Sequence, residues 1–548
     1  MFDQHGDTLT RAMKAIAERG YWSAYPESPS PRVYGEGAAE RGRQAFESYL
    51  GKPFPIEQQG TGLWIGAERS PYGMELGVTY PEPSPEQLVD LAGAAMPAWR
   101  DAGPQERAQV CAEILHRINQ RSFEIANAVQ HTTGQAFVMA FQAGGPHAQD
   151  RGLEAVAYGL AAMTAARSHA RWEKPAKGDP LVMEKTFTVV PRGVALVIGC
   201  NTFPTWNAYP GLFASLVTGN PVIVKPHPGA ILPLAITVAI AREVLEEAGF
   251  DPDLVTLAAE EGQGLASQLA THPDVRIVDF TGSTEYGDWL ERNATQALVH
   301  TEKAGVNTVV VDSTDSYKGM LGNIAFSLSL YSGQMCTAPQ NILIPSDGIQ
   351  TDAGPKSLAE VAADLAAAVS RLLGDDARAV ELTGAIVNAG VLGRVEAAAS
   401  LGEVVLESRA VTHPAFPGAT VRTPVIVKLS QADEETYGRE HFGPVAFVIA
   451  TGSTEESLAV LRRTISSRGA LTASVYSTSP QVLEAAERAA LDAGVNLSCN
   501  LTGGVFVNQS AAFSDYHGTG ANPAATASLT DPGFVAGRFF VVQSRRHA

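Results

Sequence analysis

From residue 194 the chain repeats one pattern: a short run of apolar residues, a turn, then a stretch with apolar residues every three or four positions. VALVIG, PVIVKP, DLVTLAA and VRIVDFTG read as strands. NAYPGLFASLVTGN, LPLAITVAIAREVLEEAG, QGLASQLATH and TEYGDWLERNA read as the helices after them. Strands without polar alternation are buried on both faces, and their alternation with helices predicts a doubly wound parallel sheet. The pattern resumes from about 302 to 500 with NTVVVD, NILIP, VAFVIA and ASVYS, and with helices such as SLAEVAADLAAAVSRLL, which predicts a second α/β domain. Between about 172 and 191 the text alternates around turn signals and predicts a strand pair. GRFFVVQSRR, near the end, predicts a strand in need of a partner. At the front, helical stretches near 8–19 and 36–49 flank the proline-rich ESPSPRVYGEG. Ser84-Pro85-Glu86-Gln87 then predicts a capped helix start, with helical text to about 168.

Composition narrows the classes. Forty basic against 58 acidic residues leave a formal charge of −18, so no global basic field is available for nucleic acid. The four cysteines (Cys111, Cys200, Cys336, Cys499) form no CxxC pair or Cys/His cluster, and no metal is expected. The opening MFDQHGDTLT has no apolar signal region, and no run of 18 apolar residues predicts a membrane span. A cytoplasmic enzyme is expected.

Ligands of doubly wound sheets sit beyond the carboxyl ends of the strands. Those ends carry Asn201, Lys225 and the Gly282-Ser283 turn, where the next helix offers free N–H groups to a pyrophosphate. No GxGxxG fingerprint is present, so a dinucleotide must be held in another way. A lone cysteine is most often a buried packing thiol. Cys336, in SGQMCTAPQ, has different company: Glu302, 34 residues upstream, ends the short apolar strand ALVHTE. A cysteine nucleophile beside a carboxylate base that activates water is the chemistry this pair offers.

These elements, in this order, resemble the aldehyde dehydrogenase superfamily from about residue 85 to 515. REHFGPV adds that family's ExFGPV signature through Glu440, Phe442, Gly443 and Pro444, and the interval from Glu302 to Cys336 is the usual one. RGYWSAYPESPSPRVYGEG, GCNTFPTWNAYP and QSAAFSDYHGTGANPAA further resemble the PaaN group, proteins of aerobic phenylacetate breakdown. The resemblance implies two doubly wound α/β domains plus a small β oligomerisation element. The expected division is an N-terminal collar (1–80), a dinucleotide-binding domain (81–301, with the strand pair near 172–191 used in oligomerisation), a catalytic domain (302–500), and a return to the cofactor domain with a C-terminal oligomerisation strand (501–548). A homodimer or homotetramer is expected.

The resemblance also implies roles. Cys336 would attack an aldehyde, and the oxyanion would be held by the Cys336 backbone N–H and the Asn201 amide. Glu302 would activate the water that hydrolyses the thioester. Lys225 would bind the adenosine ribose or its phosphate, Ser283 with Gly282 the pyrophosphate, and Glu440 the nicotinamide ribose. Phe442 would pack on the cofactor, and Gly305 would leave room near the nicotinamide. Departures from the family pattern are informative. One extra residue separates Asn201 from Pro204, Cys200 beside it reads as packing, and PGLFASLVTGN lacks the helix lysine usual there. Pro228 stands where members specific for NAD often carry a glutamate; with Lys225 and His227 nearby, this predicts NADP, with NAD as the alternative. The segment AAFSDYHGTGANPAA replaces the usual PFGGxKxSGxG. Its small residues predict a wide channel mouth with Tyr516 and His517 as polar contacts, suited to a semialdehyde still attached to CoA. Two other readings are a CoA-acylating enzyme, in which a thiol resolves the thioester, and an inactive structural relative.

Overall fold

The computed structural model describes residues 2–262, 264–303, 305–518 and 532–548. Five parallel strands form the first sheet, in the spatial order Val255–Leu257, Val222–Lys225, Val194–Ile198, Val275–Gly282, Leu298–Lys303. The first of these in the chain, Val194–Ile198, is central and buried throughout, as its unbroken apolar text requires. The order reverses on its two sides, so a crevice opens beyond Ile198 and Gly282 at the carboxyl edge. Asn201, Lys225, Gly282 and Glu302 all belong to that edge.

The second sheet has seven strands, ordered Glu403–Leu406, Val425–Ser430, Val445–Thr451, Asn341–Pro345, Thr308–Val311, Ala473–Tyr476, Leu497–Cys499. All neighbours are parallel except the edge strand Glu403–Leu406. The protein therefore has the fold that the aldehyde dehydrogenase resemblance implies: two α/β units with parallel sheets. The strand pair and the C-terminal strand make a third, separate sheet. His169–Lys174 and Phe539–His547 flank Leu181–Pro191, both antiparallel to it. The terminal strand thus finds its partner in its own chain.

Just ahead of that strand, buried Arg538 forms a two-pronged pair with Asp279 (2.6 and 2.7 Å) and fastens the chain end under the first sheet. Asp279 lies where a side chain at Gly211 would project, 2.7 Å from an added Cβ. The predicted helix start at Pro85 is observed, but Ser84 makes no side-chain cap bond; Pro85 at the first position carries the start.

The front of the chain packs on the helices that back the first sheet. The helix Gly6–Glu18 lies against Ala148–Thr164, and buried Asp150 accepts from Ser23 Oγ (2.6 Å) and Ala24 N (3.0 Å). No helix among the described residues is long and apolar enough to cross a membrane.

Candidate active site

Glu302 is the fifth residue of Leu298–Lys303 and is wholly buried. The pairing Thr281↔Glu302 places it level with the end of the neighbouring strand, at the carboxyl edge of the first sheet. Cys336 comes from the second sheet's side, on a turn that the chain enters through unusual backbone. Tyr331 and Ser332 both have φ of 50°, followed by Gly333 at 62°. Left-handed conformations are costly for side chains with a Cβ and persist only where surroundings hold them. Here the Tyr331 hydroxyl donates to Thr133 O, and Ser332 Oγ to Gly384 O and Arg422 O (3.1 Å each). Downstream, buried Asn307 donates to Cys336 O (2.7 Å) and Ala338 O (2.9 Å) and accepts from the N–H groups of Leu471 and Thr472. The turn is clamped on both sides.

The two chemical groups meet. Burial first, and the Glu302 charge next, push the Cys336 thiol well above its ordinary range. A thiolate therefore forms here only if its proton has somewhere to go and its charge finds a donor. Asn207 and His517 complete the cluster. Asn207 Nδ2 lies 3.3 Å from each Glu302 oxygen, and its Oδ1 accepts from Cys200 Sγ at 3.3 Å. Burial pushes the Cys200 thiol up to about 11, so it remains a protonated donor at neutral pH. His517 Nε2 lies 3.2 Å from Glu302 Oε1 and 4.0 Å from Cys336 Sγ.

His517 was expected at a channel mouth, and the structure corrects that placement. It is 2% exposed, beside the nucleophile, with its ring edge-on to Trp206 at 5.0 Å. Tyr516 is the outward residue, 42% exposed under the Arg19 guanidinium. Residues 519–525 of the same segment lie outside the described residues, so its predicted width there is not described. Glu302, Cys336 and His517 also bring one oxygen, one sulfur and one nitrogen within 4.8 Å of one another, a spacing compatible with a metal ion, although the sequence predicts none.

Asn201 stands just after the central strand. Its Nδ2 donates to Thr132 O at 3.3 Å, and its side chain lies beside Gly229 in the turn after Lys225. Lys225 itself is buried and paired: Glu260 Oε2 is 2.7 Å from its Nζ. The NADP expectation supposed a cation without a carboxylate near it. The structure supplies the carboxylate from the end of the neighbouring strand instead of from position 228. That was partly readable, because Glu260 follows a strand whose parallel partner ends in Lys225. Asn207 had a weaker signal, one turn into the helix opened by Pro204 after the central strand.

Ser283 caps the helix Thr284–Asn293 by accepting from Tyr286 N and is exposed, leaving that helix N-terminus open to an anion. Gly282 has a packing reason too, since an added Cβ would lie 2.6 Å from the Phe280 ring. Gly305, Glu440 and Phe442 share one pocket with Gly333 and Met335, next to the nucleophile turn. At Gly305 a Cβ would meet Ala470 Cα at 2.6 Å, so this wall is backbone against backbone. Burial raises the Glu440 carboxyl to about 8 against the opposing pull of Arg394. A carboxyl so placed can donate as well as accept toward sugar hydroxyls. These features fit a dinucleotide laid along the carboxyl edge, with its phosphates at Ser283 and one ribose at Glu440.

The sequence model of the aldehyde dehydrogenase family matches residues 80–521. A crystal structure of an NAD-dependent aldehyde dehydrogenase from Burkholderia multivorans is 60% identical and covers 100% of this chain and 99% of its own, with a TM-score of 0.98. A 1-pyrroline-5-carboxylate dehydrogenase structure from Thermus thermophilus, at 20% identity, covers 96% and 99% with a TM-score of 0.77, a likeness of fold. Among curated proteins, the 1-pyrroline-5-carboxylate dehydrogenase of Bacillus mycoides (strain KBAB4) is 26% identical over 332 residues, 57% of this chain. The match spans about three fifths of that relative's length.

Proposed function

The chain belongs to the aldehyde dehydrogenase family, and from that premise we propose that it oxidises an aldehyde to a carboxylate with NAD, through a thioester on Cys336. The observation that carries this reading is the buried Glu302 carboxylate held by Asn207 beside the Cys336 thiol. In the reaction, the Cys336 sulfur attacks the carbonyl carbon. The Cys336 backbone N–H and the Asn201 amide receive the oxyanion; loss of one such donor costs about 10²–10³ in turnover. The nicotinamide, when bound, accepts the hydride. Once the proton it received from the thiol has left to solvent, Glu302 takes a proton from water as that water attacks the thioester. A carboxylate already in place favours water over a thiol as the group that resolves the thioester.

NAD rather than NADP is supported by Glu260, whose charge beside Lys225 would repel a 2′-phosphate. The NAD-dependence stated for the Burkholderia multivorans protein points the same way. The test is turnover of an aldehyde with each cofactor, followed by reduced-cofactor absorbance and by identification of the product. Acid from NAD supports the reading; acyl-CoA formed with free CoA, or no product from any aldehyde, overturns it. Glu260→Gln should narrow the preference for NAD by about tenfold, one charge interaction's worth.

For the aldehyde itself, a long semialdehyde attached to CoA, formed by ring opening in phenylacetate breakdown, is the substrate class we favour. The support is a convergence. The three stretches that resemble the PaaN group meet on one side of Cys336: Trp22 against Phe513 at 4.7 Å, Arg19 over Tyr516 at 4.0 Å, and Trp206 against His517. Acetaldehyde or benzaldehyde oxidised as fast as CoA-bound semialdehydes would remove this assignment. The exposed Phe540, Val541 and Val542 on the terminal strand support a homodimer or homotetramer, to be tested by mass measurement in solution.

A further inference from the structure

We propose that His517 is a catalytic residue: its Nε2–H holds the Glu302 carboxylate in the resting site and turns to the Cys336 thiolate once the thiol proton has passed to Glu302. The proposal rests on the thioester chemistry argued above.

Geometry carries it. One ring nitrogen stands between the two reacting groups, 3.2 Å from Oε1 of the base and 4.0 Å from the sulfur. A nitrogen facing a carboxylate carries the proton, so Nε2 is a donor in the resting site. Asn207 holds both carboxylate oxygens independently, so Glu302 stays in place when the imidazole donor shifts to sulfur. The position is also built. The backbone before His517 is tied down by Arg151, which donates to Ser510 Oγ (3.0 Å) and Asp515 O (3.2 Å), and by Glu154, which accepts from Phe513 N (3.1 Å). Arg19 reaches Ser514 O at 3.1 Å, and Asn496 holds Tyr516 O at 3.0 Å. A histidine that only filled space would not need its nitrogen aimed between nucleophile and base.

The need is electrostatic. The groups that act on the thiol are Glu302 and, when ionised, Cys200 and Glu440; each then opposes a negative charge on sulfur, as does burial. A donor to the thiolate offsets them. The proton count closes: the S–H bond breaks, an O–H bond forms on Glu302, and the charge of the three groups together is unchanged. The freed sulfur pair then makes the C–S bond.

Alkylation of Cys336 by iodoacetamide, without aldehyde or cofactor, reads the thiolate directly. The rate is measured from pH 5.5 to 9.5, with mass spectrometry assigning the label to Cys336 and not to the other cysteines. His517→Ala and His517→Phe both remove the donor, the second keeping a ring against Trp206; whichever retains the wild-type melting curve is used. The alkaline limb should move up by at least about one pH unit, so the rate near pH 7 falls about tenfold. His517→Gln, which restores an amide donor, should recover part of the loss. A limb unmoved in the donorless variant, or a Gln variant no better than it, overturns the proposal. No turnover is needed, so a chain that oxidises no aldehyde yet shows the displaced limb would sink the proposed function and leave His517's role standing.

Discussion

Cys336 and Glu302 are carried by a strand end and a turn that two sheets define, whereas His517 is carried by a loop with no regular structure. The first pair is fixed by local means: the pairing of Leu298–Lys303 sets Glu302, and Asn307 with the left-handed Tyr331-Ser332 turn sets Cys336. The second is fixed from a distance, by Arg19, Arg151 and Glu154, residues more than 350 positions away in the chain. Chemistry placed by regular elements tolerates change elsewhere. Chemistry placed by a loop depends on whatever clasps that loop, which gives the N-terminal segment a structural part in the site.

The largest effect should come from the first pair. Cys336→Ala should remove both hydride transfer and the covalent intermediate, a loss of at least about 10⁴ in kcat/KM. Residual turnover within tenfold of wild type would mean that sulfur is not the nucleophile. Glu302→Gln removes both the acceptor of the thiol proton and the base for water, so it should slow the burst of reduced cofactor and slow the steady state further, by about 10²–10³. An undiminished burst with a stalled steady state would show that the thiol proton leaves by another route and that Glu302 acts on water alone, which separates its two duties.

The second wall should fail more gently and from farther off. Arg19→Ala removes the cation over Tyr516 and the bond to Ser514 O, loosening the loop without touching the reacting atoms. Turnover should fall by about two- to fivefold, with cofactor affinity unchanged. An unchanged kcat would show that the loop holds itself and would erase the contrast between the walls.

That contrast also explains what was legible in the sequence. The strands around Val194–Ile198 and Thr308–Val311 were readable because burial on both faces leaves no choice but continuous apolar text. Cys336 and Glu302 were readable because their order and interval match those of the family the chain resembles. His517 was visible as a polar residue, but its position depends on Arg19 and Arg151, and no periodicity links residues so distant. Asn207 looked like one of many helix residues, since its partner Glu302 is brought to it only when the sheet forms. Glu260 was legible only in part: Pro228 stands three residues after Lys225 on the same strand's turn, and the neighbouring strand supplies the carboxylate.

The smallest effect concerns the clasp itself. Asp150 anchors the N-terminal segment by accepting from Ser23 and Ala24, yet burial raises its carboxyl to about 7. A carboxyl unfolds to an ordinary value of about 3.9. Between those two values the folded chain keeps a proton that the unfolded chain has released, so the group's contribution to stability is lost as pH rises from about 4 to about 7. Asp150→Asn has nothing to ionise; its amide oxygen can still accept from Ala24 N and its NH₂ can donate to Ser23 Oγ. The variant should therefore melt close to wild type at pH 5 and about 2–4 °C above it at pH 8. Glu68, raised to about 7 by burial in the same way, is common to both proteins and cancels in the difference. Melting differences that stay constant between pH 5 and 8 would show that Asp150 is ionised in the folded protein, and that the clasp is held by a charge instead of a shared proton.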